Sequence, residues 1–297
     1  MTDTMTAKAE KPQAATPSID DNGYNGEKPT TKTSIKIAPN EVHTTLAKHM
    51  LVDGFDLVVD LKRSQGSYVF DSRYNKRYLD FFTFFASGSV GMNHPKLNSP
   101  EFLEKLGYVA VHKPSNADAY TVEMAEFVET FSRIAQPEYL PYVFFIDGGA
   151  LAVENALKTA FDWKVRKNFI KGYTEERGRQ IIHFRRAFHG RSGYTLSLTN
   201  TDPVKTNYFP KFRWPRIHNP IIEFPLNKEN LSRVKKAESI ALQQIKQAII
   251  NNPDDIAGMI IEPIQCEGGD NHFRKEFFEE LRRICDESDI LLIFDEV

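Results

Sequence analysis

Acidic side chains follow two apolar runs in the second half of the chain, where buried strands would end. Asp295 comes directly after an apolar run, and a carboxylate there is costly to desolvate unless it has a partner. A protonated nitrogen of a heterocyclic ligand would be such a partner, and a capping role is the alternative. Glu262 ends another apolar run and suits a structural hydrogen-bond acceptor, whereas Glu267, in the glycine-rich loop that follows, suits contact with a substrate.

A glycine pair precedes a long helical pattern and offers a place for a phosphate. Gly148 and Gly149 let the backbone turn sharply and approach a ligand, and Ala150 leads into the helix. The first turn of a helix has unpaired N–H groups and a partial positive charge, which together bind phosphate groups. The alternative is an ordinary turn from strand to helix, since the pattern matches neither a dinucleotide-binding fingerprint nor a P-loop.

An aromatic residue and an arginine follow the next apolar run. Phe188 can stack on a flat ring, and Arg191 can bind a carboxylate through two parallel hydrogen bonds. The alternative places Phe188 in the core and makes Arg191 a surface cation. His189 is predicted to be structural rather than a metal ligand, because no second histidine or carboxylate stands near it at a ligand spacing.

The elements that must position these residues alternate between strands and helices. Short apolar runs typical of strands covered on both faces are predicted at residues 142–146, 180–184, 258–261 and 290–294. Helices are predicted at residues 121–134, 151–169, 231–250 and 273–288. This alternation indicates an α/β fold with a mainly parallel sheet, in which ligands bind beyond the carboxyl ends of the strands.

The N-terminal part of the chain has a different character. Residues 1–38 are rich in polar residues, alanine and proline, and are predicted to be a disordered tail. A short helix at 42–50 precedes a predicted β meander with strands at 57–61, 68–71 and 78–82 and a turn at 73–76.

Composition narrows the class of protein. The chain has 297 residues, is 41% hydrophobic and carries a net charge of −2, a balance that does not call for nucleic acid or an anionic membrane as a partner. Its two cysteines, Cys266 and Cys285, form neither a disulfide framework nor a zinc motif. The start of the chain has no apolar stretch of the secretory kind, so we expect a cytoplasmic protein that acts on small molecules.

Taken in order along the chain, seven motifs resemble those of class III, fold-type I aminotransferases that depend on pyridoxal phosphate (PLP). Among these enzymes the similarity is greatest to the lysine 6-aminotransferase branch, chiefly through the long motif that begins at Ala187. The motifs occupy residues 78–82, 91–95, 113–116, 148–156, 187–200, 262–265 and 294–297.

The resemblance implies a role for each candidate residue around the cofactor. Gly149 and Ala150 would hold the PLP phosphate through backbone N–H groups, and Phe188 would stack on the pyridine ring. Asp295 would pair with the ring nitrogen and keep it protonated, so that the ring acts as an electron sink.

The resemblance also implies the substrates. Arg191 would bind the α-carboxylate of L-lysine, and Glu267 would act as a gate that admits L-lysine and 2-oxoglutarate in turn. The product pair would be 2-aminoadipate 6-semialdehyde and L-glutamate, and the family implies a homodimer. The alternatives are another ω-amino donor, ornithine or 4-aminobutyrate, or a chain that binds PLP or assembles without catalysis.

Two departures from the family pattern stand out. Cys266 occupies a position where glycine is expected, and the Schiff-base lysine of the family would fall beyond Val297. The resemblance therefore implies that residues 39–95 form an N-terminal segment of the small domain and that residues 96–297 form an incomplete large PLP-binding domain. We expect the 297-residue chain by itself to be inactive.

Overall fold

The computed structural model describes residues 35–112 and 118–297. Most of the predicted tail and the motif at 113–116 therefore lie outside the described residues. The chain divides into two compact units, Met1–Lys113 and Pro114–Val297. The second unit contains every candidate site residue.

The first unit contains short elements and one longer helix. A 3-10 turn at Pro39–Glu41 leads into helix α1, Val42–Leu46, which is shorter than the predicted helix. Strands β1, Tyr68–Asp71, and β2, Lys76–Leu79, form an antiparallel hairpin, with Tyr68 opposite Leu79. Helix α2, Pro100–Val111, begins where the Ser99 hydroxyl accepts a hydrogen bond from the Phe102 N–H. The strand predicted at 57–61 is wrong, because only Val59 of this run forms a bridge, with Asp71.

The second unit is built on a parallel sheet. Strand β3 is Gln180–Phe184, β4 is Arg216–Ile217, β5 is Ile256–Ile261 and β8 is Leu291–Phe294. Their order in the sheet is β4-β3-β5-β8, and each adjacent pair is parallel. The α/β prediction is confirmed, and β3 has the predicted bounds. Two further short strands, β6 at Ile264–Gln265 and β7 at Asn271–His272, form a small antiparallel pair after β5.

The helices of the second unit are α3 at Val122–Ile134, α4 at Gly149–Ile170, α5 at Thr195–Leu198, α6 at Pro203–Thr206, α7 at Lys228–Asn251 and α8 at Lys275–Glu287. Helices α4, α7 and α8 supply buried side chains to the core around the sheet, whereas no residue of α3 is buried. Leu281 and Ile284 of α8 pack with Ile182 and Met259 in one cluster, and Leu157 of α4 belongs to a second. Alternate side chains of β3 and β5 thus enter different clusters, which explains why both strands are apolar along their whole length.

The strand predicted at residues 142–146 is also wrong. These residues form no strand, and Tyr142 is 92% exposed. The run has the apolar composition of a buried strand, but within the described residues it pairs with no neighbouring strand. Strand formation depends on such pairing more than on composition, so the apolar pattern alone does not produce a strand.

A charged network holds the amino ends of β5 and β8. Lys164 of α4 is buried, and its Nζ donates to the Asp289 carbonyl at 2.7 Å. The Lys164 Nζ also lies 3.9 Å from Asp254 Oδ1 and 3.7 Å from Asp289 Oδ2. Burial lowers the pKa of Lys164 despite these acidic neighbours. This network stands at the end of the sheet opposite to the candidate site and is structural.

No helix in residues 35–112 or 118–297 is long and apolar enough to cross a membrane.

Candidate active site at the carboxyl ends of the strands

The candidate residues meet because the strands that precede them are parallel. Arg185 follows β3, Glu262 follows β5 and Asp295 follows β8, so all three chain segments leave the sheet at the same edge. The Asp295 N–H donates to the carbonyl of Ile261 at 3.0 Å, which extends the ladder by one hydrogen bond. Asp295 is therefore fixed beside Glu262.

The start of α4 lies against the loop that carries Phe188. Gly148 has a φ of +91°, a conformation that favours glycine, and no side chain caps the helix. Gly190, with a φ of +107°, packs so closely on α4 that a Cβ there would lie 2.5 Å from the Cβ of Ala150. The uncapped N–H groups at Gly149 and Ala150 are thus available beside the Phe188 loop.

His189 joins that loop to the end of β8. Its Nδ1 lies 2.8 Å from Asp295 Oδ2, and its backbone N–H donates to Thr199 Oγ1 at 2.9 Å. His189 is buried, and its Nε2 has no hydrogen-bond partner within the described residues. The sequence predicts a structural role for this residue but gives no indication of its contact with Asp295, which lies 106 residues further along the chain.

Glu262 anchors the Phe188 loop through a hydrogen bond to its backbone. Its Oε2 accepts a hydrogen bond from the Phe188 N–H at 3.1 Å, in agreement with the predicted acceptor role, whereas its Oε1 is buried without a partner. Burial raises the pKa of Glu262 to about 8, and the negative charges of Asp295 and Glu267 add to this effect. Glu262 is therefore mainly protonated at neutral pH.

Lys205, which belongs to none of the sequence motifs, contacts Phe188, Arg191 and Glu267. The Lys205 Nζ forms an ion pair with Glu267 and lies 5.5 Å from the centroid of the Phe188 ring. Arg191 is exposed, and its Nε donates to the Lys205 carbonyl at 3.2 Å. Thr201 Oγ1 donates to Glu267 Oε1 at 3.3 Å. No local sequence pattern indicates these contacts of Lys205, which become visible only in the fold.

The arrangement suits a phosphorylated heteroaromatic ligand. It combines free N–H groups at a helix start, an aromatic ring and a carboxylate next to buried polar atoms that lack partners, His189 Nε2 and Glu262 Oε1. An anion fits the helix start, and a protonated ring nitrogen fits Asp295. The residues present therefore fit PLP. Within the part of the chain that the structure describes, no group of three His, Cys, Asp or Glu residues could hold a metal ion.

Comparison with known proteins agrees with this geometry. Residues 52–297 match the family model "Aminotransferase class-III". The chain is 54% identical over 260 residues to an L-lysine-epsilon aminotransferase of Mycobacterium tuberculosis, and 50% identical over 258 residues to one of Streptomyces clavuligerus. These alignments cover 87% and 86% of this chain. A 4-aminobutyrate aminotransferase of Emericella nidulans is 30% identical over 262 residues, which cover 83% of the chain.

A solved structure has the same fold. The lysine aminotransferase from M. tuberculosis superposes with a TM-score of 0.83 at 53% identity, over 87% of this chain and 59% of that one. The chain spans just over half the length of the curated relatives it matches, with 57%, 56% and 52% of the three relatives covered. Over that length it has the α/β architecture of fold-type I PLP-dependent enzymes, and it belongs to the class-III aminotransferase family.

Proposed function

We propose that the protein is a cytoplasmic, homodimeric L-lysine 6-aminotransferase with PLP as its cofactor. It would transfer the ε-amino group of L-lysine to 2-oxoglutarate and form 2-aminoadipate 6-semialdehyde and L-glutamate. The observation that carries this proposal is a difference in sequence identity. The chain is 54% and 50% identical to two L-lysine-epsilon aminotransferases but 30% identical to a 4-aminobutyrate aminotransferase. The homodimer is carried over from the family resemblance.

The cofactor would be held by the residues that meet at the carboxyl ends of the strands. Gly149 and Ala150 would donate backbone hydrogen bonds to its phosphate, and Phe188 would stack on its ring. When bound, PLP supplies an electron sink that stabilises negative charge on the reacting substrate carbon. Asp295 would keep the ring nitrogen protonated, which that sink requires.

His189 and Glu262 would support Asp295 in this role. The 2.8 Å contact with His189 fixes one Asp295 oxygen, so the other can face the ring nitrogen. Glu262, protonated at neutral pH, adds little negative charge beside Asp295 while it anchors the Phe188 backbone. We therefore assign both as positioning residues, because each acts through Asp295 or Phe188.

Arg191 and Glu267 would select the substrates. Arg191 would bind the lysine α-carboxylate, which leaves the distal amine to reach the cofactor. Glu267 would act as the gate between the two substrates, and it would leave its ion pair with Lys205 when it moves. Both groups are exposed, so such a movement needs no rearrangement of the core.

A panel of amino donors tests the proposal. The protein would be expressed from its complete coding sequence and assayed for glutamate formation from 2-oxoglutarate with L-lysine, L-ornithine or 4-aminobutyrate. We expect the highest kcat/KM with L-lysine. A higher value with ornithine or 4-aminobutyrate would keep the fold and cofactor but reject the donor, and no glutamate with any donor would favour a chain that binds PLP without catalysis.

A further inference from the structure

Three arginines converge at the β4 edge of the sheet. Arg185 and Arg186 follow β3, and Arg216 begins β4, which pairs with β3. Arg185 and Arg186 line two neighbouring cavities of about 320 and 440 Å³. His218 lines the first cavity and Arg216 lines the second. We call Arg185, Arg186 and Arg216 the arginine cluster.

The backbone that carries the cluster is held firmly. The Arg185 carbonyl accepts a hydrogen bond from Gln265 Nε2 at 3.1 Å, and the Arg186 N–H donates to Asn200 Oδ1 at 2.7 Å. Arg186 has a φ of +58°, which is uncommon for a residue with a side chain. Gly268 packs on its carbonyl so tightly that a Cβ there would lie 2.0 Å from the oxygen. These contacts preorganise the two adjacent arginines.

No carboxylate among the described residues forms an ion pair with the cluster. None of its three guanidinium groups makes an ion pair or a side-chain hydrogen bond within residues 35–112 and 118–297. Arg233, which also lines the first cavity, differs because it is paired with Glu223 and Glu229.

The pKa values of two residues in and beside the cluster show that positive charge is disfavoured there. Burial lowers the pKa of Arg216, and the charge of Arg185 lowers it further. The pKa of His218 is lowered by the same two causes in the same order. Like charges held together at the rim of a cavity repel one another, and an anion bound between them would remove that repulsion.

We propose that the arginine cluster binds a phosphate-bearing small molecule. The planar guanidinium group offers paired N–H donors that match phosphate oxygens, and the cavities fall in the size range of small-ligand sites. The site goes beyond lysine transamination, because neither proposed substrate carries a phosphate. It is also separate from the proposed seat for the cofactor phosphate, which lies at the start of α4 rather than beside β4.

Isothermal titration calorimetry with pyrophosphate tests this site. The protein would be expressed from its complete coding sequence and saturated with PLP, so that the α4 start is already filled. We expect saturable binding with a Kd of about 1 mM or tighter. The double variant Arg185→Gln/Arg216→Gln should weaken it by about tenfold or more, because two charge-assisted partners are lost. The control is Arg213→Gln, an exposed arginine outside both cavities, which should bind like the wild type.

Three outcomes would overturn the proposal. They are no saturable heat with the wild type, equal affinity in the wild type and the double variant, and malonate binding as tightly as pyrophosphate. Titration with inorganic phosphate identifies the source of the ligand, since comparable binding indicates free phosphate and much weaker binding indicates a diphosphate or its ester. If the double variant is unfolded by circular dichroism, Arg186→Gln provides the same comparison.

Discussion

Gly190→Ala should damage both the stability of the fold and the binding of the cofactor. A Cβ at this position would lie 2.5 Å from the Ala150 Cβ and 3.0 Å from the Thr195 Oγ1, and the φ of +107° is one that side chains rarely adopt. The backbone strain costs about 1–3 kcal/mol. The steric overlap costs a further amount of about 1–3 kcal/mol, because packed backbone cannot move aside freely. We expect a total loss of about 2–6 kcal/mol in the free energy of unfolding.

The same substitution separates the Phe188 loop from the start of α4. PLP should then bind at least about tenfold more weakly, a loss equivalent to one charge-assisted hydrogen bond. Gly193→Ala is the matched control, since its added Cβ would meet only Glu154 Oε1, at 3.8 Å, in ordinary contact. Such a change at an unstrained position is neutral or stabilises by up to about 1 kcal/mol.

Urea denaturation and a fluorescence titration with PLP would measure the two effects on protein made from the complete coding sequence. We expect Gly190→Ala to lower the urea midpoint and raise the Kd for PLP, whereas Gly193→Ala should neither lower the midpoint nor raise the Kd. If the two variants behave alike, the close contact between the Phe188 loop and α4 does not hold the site together, and the proposed assembly is wrong.

Three further changes probe other parts of the account. Glu262→Gln keeps an acceptor for the Phe188 N–H. Because the folded pKa of Glu262, about 8, lies above its ordinary value of 4.5, the free energy of unfolding of the wild type should fall as the pH rises from 4.5 to about 8. Urea titrations across this range should show the stability of the variant increasing relative to that of the wild type. Lys164→Ala should lower the free energy of unfolding by about 2–5 kcal/mol, because Lys164 is buried. Arg166→Ala, which breaks an exposed ion pair, should lower it by less than about 1 kcal/mol. Similar losses in the two variants would contradict a structural role for the buried network. Arg191→Gln should raise the KM for L-lysine about tenfold or more with an unchanged Kd for PLP, and an unchanged KM would remove Arg191 from substrate binding.

Much of the fold follows from local patterns. Helix α8 and strand β3 lie within two residues of their predicted bounds, because their apolar spacing directly reflects burial on one face or on both. The run at 142–146 shows the limit of such patterns. An apolar sequence indicates that burial is favourable, but it does not supply the neighbouring strand with which the run would have to pair.

The site shows the same division. Asp295, Glu262 and Phe188 are predictable because polar or aromatic residues stand at the ends of apolar runs in a parallel sheet. The contacts of His189 and Lys205 are not, since each depends on a partner brought from 106 or 62 residues away by the fold. Such long-range pairs leave no local pattern in the sequence.

Isotope transfer tests the central claim most directly. Protein made from the complete coding sequence would be incubated with 2-oxoglutarate and L-lysine that carries ¹⁵N only at the ε-amine, and the glutamate formed would be analysed by mass spectrometry. We expect labelled glutamate from this lysine and unlabelled glutamate from lysine labelled only at the α-amine. Glutamate labelled from the α-amine, or no glutamate at all, would contradict the proposed transfer of the ε-amino group.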